Sequence, residues 1–339
     1  MPVENMEEFY SSCTQCPRNC GANRISGNCG FCKESYSLKA ASACLHFGEE
    51  PLVTVFGGSG TIFITGCTLR CTFCQNYQIS QNGMGRELNE KEFVDICLKL
   101  QQAGAENINI VTGSHHIPVL SAYLKSAKKN GLTIPVCWNS SAYESVEMLE
   151  LLRDVVDIYL PDLKTLNPLI SEKLFGAKDY PQVAKKAIRW MLSAAPLKIE
   201  NVSRNGEERE KIFSGTIIRH LFLPGRMNDT ILTLDWLKEK ADGKACISLM
   251  SQYTPIPFKC SQQELEHRNE KLSCFQNRLV NSQEDAELRK LIDEYEFEYL
   301  FYQDLSEDTD WLPDFENEQP FPNKLAQPIW HWKHPLSKN

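Results

Sequence analysis

The chain reads as an α/β protein built on a parallel sheet, with a cysteine-rich segment before it and an extension after it. Three observations predict this. Six short apolar runs recur between residues 61 and 250, and segments with helical period fall between them. Cysteine crowds one end, since nine of the 14 precede residue 75. After about residue 255 the alternation gives way to polar and then aromatic sequence. Strands that alternate with helices imply right-handed crossovers and a ligand site on the loops at the carboxyl ends of the strands. Order alone leaves open whether such a sheet is flat or curled.

The runs read as strands are 61–65 "TIFIT", 107–111 "NINIV", 132–138 "LTIPVCW", 156–160 "VDIYL", 216–222 "TIIRHLF" and 245–250 "ACISLM". Between them, Asn89 and Glu92 form a capping-box pattern that opens a helix with Phe93, Val94, Cys97 and Leu100 on one face, closed near Gly104. Further helices are predicted over 117–130, 143–153, 180–194 and 228–240. Residues 1–50 show many Cys, Gly and Asn but little periodicity, so they read as a module that depends on metal or docking. The core is then expected over 51–255. In the extension, 256–339, a polar stretch precedes a helix from Glu284 to about Tyr295, a strand at 298–303 and an aromatic tail expected to cover the sheet's edge or mouth.

A net charge of −8 and a pI near 5.5 argue against a general nucleic-acid binder and against an anionic membrane surface. No run approaches the roughly 20 apolar residues that span a bilayer. The opening "MPVENMEEFYSS" lacks the features of a signal peptide, so a cytoplasmic location is expected. Thiols there stay reduced, which favours metal or cluster ligation over disulfides for the clustered cysteines.

The loop after the first strand, "GCTLRCTFCQNYQIS", places Cys67, Cys71 and Cys74 at C-x3-C-x2-C spacing. Four thiolates complete a zinc site or an ordinary iron–sulfur cluster. Three hold a cubane by three of its irons and leave the fourth open to a ligand. This spacing, the strand before it and the aromatic before the last Cys resemble the radical SAM superfamily. Further stretches, "HFGEEP" (46–51), "GGSGTIF" (57–63), "YLPDLK" (159–164), "IIRHLFLPG" (217–225) and "SLMSQYTP" (248–255), occur in an order similar to that of pyruvate formate-lyase activating enzymes, specifically the PflX-like branch.

The resemblance implies a partial (β/α)6 TIM-like barrel of the radical SAM type. It also implies a 4Fe–4S cluster on Cys67, Cys71 and Cys74 whose open iron chelates S-adenosylmethionine, reductive cleavage to a 5′-deoxyadenosyl radical, and hydrogen abstraction. Phe73 would pack near the adenine. Asp162 and Lys164 match the family's Asp-x-Lys pair near cofactor and substrate, and Arg219 with His220 matches its Arg-aromatic pair. The family's Gly-Gly-Glu reads "VTGSHH" here, so Thr112, Gly113 and Ser114 are the expected contacts to the SAM amino group, and His115 and His116 are extra groups at the mouth. Asn139, with Ser141, replaces a cation-holding Asp, and Gln252 or Tyr253 stands in for a ribose-contacting His.

On this reading a flavodoxin or ferredoxin donates the electron, the cytoplasm is anaerobic or microaerobic, and the leading target is a glycine of a glycyl-radical protein. A small molecule or peptide is the alternative target. A reading of another class makes the chain a non-catalytic electron-transfer or zinc protein, in which the three-cysteine loop finds a fourth ligand among the N-terminal cysteines. Those are Cys13, Cys16, Cys20, Cys29 and Cys32, and the two C-x2-C pairs have zinc-ribbon spacing, although the inner C-x3-C also suits a cluster. The expected set is Cys13, Cys16, Cys29 and Cys32, with Cys20 the spare.

Overall fold

The computed structural model describes residues 6–305, 309 and 311–334. Eleven strands are found among these residues: β1 (Lys39–His46), β2 (Ser59–Ile64), β3 (Arg86–Glu87), β4 (Ile108–Val111), β5 (Val136–Ser140), β6 (Ile158–Pro161), β7 (Lys198–Arg204), β8 (Glu207–Leu221), β9 (Cys246–Met250), β10 (Leu300–Gln303) and β11 (Ala326–His331). Across the sheet the order is β10-β9-β8-β6-β5-β4-β2-β1-β11. From β10 to β2 every neighbour is parallel, while β1 and β11 close that side antiparallel. The sheet is parallel-rich and does not close on itself.

The six predicted strands are β2, β4, β5, β6, the second half of β8, and β9. Most of their residues are buried on both faces, as in "SGTIFI" and "INIV", which is why they read as continuous apolar runs. The run at 132–138 begins later than expected, because Leu132 to Pro135 form the approach to β5, which starts at Val136. The helix expected over 143–153 is one turn, Val146–Leu149, followed by a 3-10 turn, Glu150–Leu152.

Beyond the two-residue β3, two strands of the sheet lie where none was expected. β1, "KAASACLH", falls within the 1–50 segment yet pairs with β2 over Ala40–His46, so the sheet begins before residue 51. β11 carries Pro328, tolerated because the strand is at the edge. A third omission is the β7–β8 hairpin, turned at Asn205 (φ 54°) and Gly206 (φ 83°). It stands out from the sheet, and β7 is largely exposed.

The tail folds back on its own chain. Phe315 is fully buried with its ring centroid 5.3 Å from that of Phe63 on β2, and Phe321 lies 5.3 Å from Phe63. Gln78 fixes the approach, donating to Asp314 Oδ1 at 2.7 Å and accepting from the Phe315 amide at 2.8 Å. Truncating Phe315 to alanine removes the centre of this cluster, with an expected loss of about 3–5 kcal/mol in urea unfolding. No helix of the described residues is long and apolar enough to cross a membrane.

Candidate active site

At the carboxyl ends of β2, β4, β5, β6, β8 and β9 lies a cavity of about 550 Å3. The loop leaving β2 supplies Cys67, Cys71, Phe73 and Cys74, β4 ends in Thr112, β5 in Asn139 and Ser141, and β6 in Asp162 and Lys164. Arg219 of β8 and Gln252 after β9 complete the expected residues found on its wall. No other cysteine lines the cavity among the described residues.

The loop can turn this tightly because of Gly66, at φ 86°. A Cβ there would stand 2.4 Å from Glu34 Cγ and 3.0 Å from the Cys32 carbonyl oxygen. Backbone amides of Leu69 and Arg70 point at Cys67 Sγ from 3.3 and 3.4 Å. Gln81 donates to the Cys71 carbonyl at 2.8 Å, and Thr72 is tied to the Leu174 carbonyl at 2.9 Å. Cys67 and Cys71 are buried and Cys74 half-buried. Burial pushes the Cys71 and Cys74 thiols up, so they give up their protons only to a strongly cationic partner such as iron.

Lys164 Nζ donates to Asp162 Oδ2 at 2.8 Å. Burial works against its charge, but Asp162 and the Cys71 sulfur outweigh it and hold the ammonium above its ordinary range. Tyr180 clamps the turn, accepting from the Lys164 amide at 2.9 Å and donating to the Asp162 carbonyl at 2.7 Å. Thr112 adopts φ 63°, the left-handed region, uncommon for a β-branched residue and a form of strain that collects at functional sites. Phe73 sits in an aromatic cage with Phe175, Tyr253 and Phe275, at centroid distances of 6.1, 6.1 and 6.2 Å.

Four expected contacts stand off the cavity wall. Strand alternation turns His220 away from Arg219's side, where it bonds the Leu163 carbonyl at 2.8 Å and the Thr230 hydroxyl at 3.0 Å. Tyr253 donates to Asn277 Oδ1 at 2.5 Å and meets the site only through Phe73. Ser114 donates to buried Glu144 at 2.6 Å, and Gly113 is backed by Trp138 and Leu120, which leave no room for a side chain.

His115 and His116 are not mouth residues either. Both are buried beneath the N-terminal segment, where Arg24 donates to the His115 carbonyl at 2.6 Å and approaches His116 Nε2 at 3.1 Å. Burial pushes His115 down to about 3 and His220 down to about 4. The unfolded chain therefore binds protons near pH 6.5 that the folded chain refuses, and stability falls as pH drops from 6.5 toward 4. Urea midpoints across this window should decline, and His220→Gln should flatten the slope.

Arg219 is engaged within the site. Its Nε and Nη2 form a two-point pair with Glu50 at 2.9 and 3.0 Å, and Nη2 also pairs with Glu49. These carboxylates line the cavity together with His46, and none of the three was assigned a role from sequence. The acidic doublet inside "HFGEEP" was the available signal. Trp311, Phe321 and Leu325 of the tail line the same cavity, at the mouth that the aromatic tail was expected to cover.

In the N-terminal segment Cys13, Cys16 and Cys32 are buried, whereas Cys20 and Cys29 are exposed. Cys20 lies beside Cys32 and the Cys13 carbonyl. Cys20 Sγ reaches to 2.9 Å from where a Cβ of Gly30 would stand, and Cys32 Sγ to 3.7 Å from the same point. Among the described residues, no three Cys, His, Asp or Glu side chains converge as closely as a single metal ion requires.

An open parallel sheet whose carboxyl edge carries a three-thiol loop beside a cavity defines an α/β protein with its ligand site on the strand-end loops. The chain matches the Radical SAM superfamily over residues 61–212. It is 33% identical over 265 residues to an uncharacterized protein of Methanocaldococcus jannaschii, covering 75% of this chain and 70% of that protein. With the pyruvate formate-lyase-activating enzyme of Listeria monocytogenes it shares 30% identity over 129 residues, 35% of this chain and about half (52%) of that enzyme's length. Among solved structures, Streptococcus suis SuiB bound to S-adenosylmethionine is similar at 15% identity and a TM-score of 0.43, covering 71% of this chain and 45% of that one. The chain belongs to the radical SAM superfamily. The family implies a 4Fe–4S cluster and S-adenosylmethionine, and the residues present fit both. Buried thiols with amide donors suit the cluster, and the cavity's apolar wall of Phe73, Phe63 and Val111 facing a polar wall of Asn139, Ser141, Asp162 and Lys164 suits a nucleoside joined to an amino acid.

Proposed function

We propose that this radical SAM enzyme abstracts hydrogen from a glycine of a protein partner and so activates a glycyl-radical enzyme, with a flavodoxin or ferredoxin as electron donor. The observation that carries the radical reading is the set of three cysteines, without a fourth, facing one cavity with Asp162 and Lys164. The same observation weighs against the non-catalytic alternative, which needs a fourth protein ligand at that loop, for instance one of the N-terminal cysteines, none of which lines the cavity. Cys67, Cys71 and Cys74 would hold the cluster. Bound there, it supplies the electron that splits the sulfonium of S-adenosylmethionine.

The chain's own groups prepare that event. Asp162 and Lys164, locked together by Tyr180, present one negative and one positive group at the strand end, matched to the amino and carboxylate groups of a methionyl moiety. Phe73 offers an aromatic face for the adenine, fixed by its three ring neighbours. Thr112, Asn139, Ser141 and Gln252 supply polar contacts around it, and Trp311 and Phe321 exclude water from the side of the tail. The activating role is supported by the similarity to the Listeria enzyme.

A second reading, radical modification of a small molecule or peptide, is favoured by the aromatic residues Trp311 and Phe321 on the cavity wall, which narrow the space left for a folded partner's loop. The test mixes the reconstituted enzyme, S-adenosylmethionine and reduced flavodoxin with a glycyl-radical enzyme such as pyruvate formate-lyase. A glycyl doublet in the electron paramagnetic resonance spectrum supports activation. Deoxyadenosine formed without any glycyl signal moves the assignment to the second reading.

A further inference from the structure

We propose that Cys13, Cys16, Cys20 and Cys32 hold a second iron–sulfur cluster, set against the back of the loop that carries Cys67, Cys71 and Cys74. The first support is how the segment folds. The Cys13 amide donates to the Ala22 carbonyl at 3.0 Å, the Gly21 amide to the Cys13 carbonyl at 3.0 Å, and the Asn19 amide to the Cys16 carbonyl at 3.0 Å. These bonds wrap "CTQCPRNC" into consecutive tight turns. Asn19, Gly21 and Lys33 take positive φ at the corners, so the backbone is bent around the sulfurs. Cys20 Sγ lies 4.0 Å from the Cys13 carbonyl oxygen, and the Cys20 and Cys32 sulfurs crowd the same side of Gly30.

The second support is a repeated local device. In the Cys67 loop the Leu69 amide, two residues after the cysteine, points at the Cys67 sulfur, and the backbone at Asn76 favours the charged form of Cys74. In the N-terminal segment the backbone at Arg18, Ala22 and Glu34 likewise favours the charged form of Cys16, Cys20 and Cys32. The Phe31 amide adds a further donor to Cys20. Amide-to-sulfur bonds favour the thiolate over the thiol and tune iron–sulfur centres. An isolated surface thiol has no use for them.

A zinc ion and an iron–sulfur cluster both take four thiolates, and metal content tells them apart, four irons with four sulfides against one zinc.

The module is also fastened to the first site. Arg18 donates to the Thr68 carbonyl at 2.9 Å and to the Phe175 carbonyl at 2.7 Å, and Arg70 reaches the Phe31 carbonyl at 3.5 Å. The Cys32 carbonyl oxygen lies 3.0 Å from where a Cβ of Gly66, the residue before Cys67, would stand.

The deciding protein is the full chain with Cys67, Cys71 and Cys74 all replaced by alanine, reconstituted anaerobically with iron and sulfide. Its result does not depend on whether S-adenosylmethionine is ever cleaved. The expected outcome is about four irons and four sulfides per chain, with a paramagnetic signal on dithionite reduction. Adding Cys20→Ala should empty the site, while adding Cys29→Ala should leave it full. An iron-free triple variant overturns the proposal, as does one holding a single zinc, or one that loses its iron on Cys29→Ala. Circular dichroism of each variant separates a lost site from a lost fold. If Cys20→Ala unfolds, the Cys29→Ala variant decides alone, retained iron supporting the quartet and lost iron overturning it.

Discussion

Replacing Cys71 by alanine should abolish deoxyadenosine formation, by about a thousandfold or more, while leaving the chain folded. The residue is buried on the cavity wall, with Cys67, Cys74, Lys164 and Asp162 as its charged neighbours. Its loss leaves two thiols for a cubane that needs three, and the remaining machinery has nothing to act with, so the defect is not graded. Fold is spared because the residue lies on a loop anchored by other bonds, Thr72 to Leu174 and Arg268 to the Thr72 carbonyl. With a second cluster in place, iron content should drop by about half and not to zero. Iron assay, thermal melting and product chromatography on one preparation check all three statements.

Arg219→Leu should destabilise the chain by about 3–5 kcal/mol, the largest effect expected of a single cavity residue. The guanidinium is 11% exposed, and its partners Glu49 and Glu50 are 11% and 7% exposed, so removing it strands two carboxylates where water does not reach well. Asn109 bonds one oxygen of Glu49 at 3.2 Å and cannot balance the charge. Converting both glutamates to glutamine in the same chain should restore much of the loss, because removing a whole buried ionic set costs far less than removing one member. Arg219→Lys should fall between, since a lysine keeps the charge but not the two-point pairing. Urea unfolding of the four proteins tests this, and a leucine variant as stable as the parent would contradict it.

The parallel core was legible because burial on both faces wrote its strands as apolar runs, and the Asn89 capping box appears with both reciprocal bonds. What escaped reading had a physical reason in each case. β1 is made of small residues whose burial comes from neighbours on either side, so it carries no β-branched signature. β7 is exposed, leaving only the Asn-Gly turn as a sign. The helix Gln262–Leu272 has a capping box at Ser261 and Glu264 but buries only Leu272, so its apolar period is nearly silent.

At the site, the cysteine spacing and the resemblance pointed to strand-end positions that line the cavity, whereas His220 stands off it, because a motif does not say which side of the strand each residue faces. The pairing of Arg219 with Glu49 and Glu50 joins residues about 170 positions apart, beyond the reach of any local pattern. For the same reason the spacing of five N-terminal cysteines could not choose among them.

The most direct test of the central claim is to reduce the anaerobically reconstituted protein in the presence of S-adenosylmethionine and measure both products by chromatography. The account predicts methionine and 5′-deoxyadenosine in equal amounts, dependent on reductant. Protein with its cluster fully loaded at Cys67, Cys71 and Cys74 that is reduced, yet forms neither product, would contradict it.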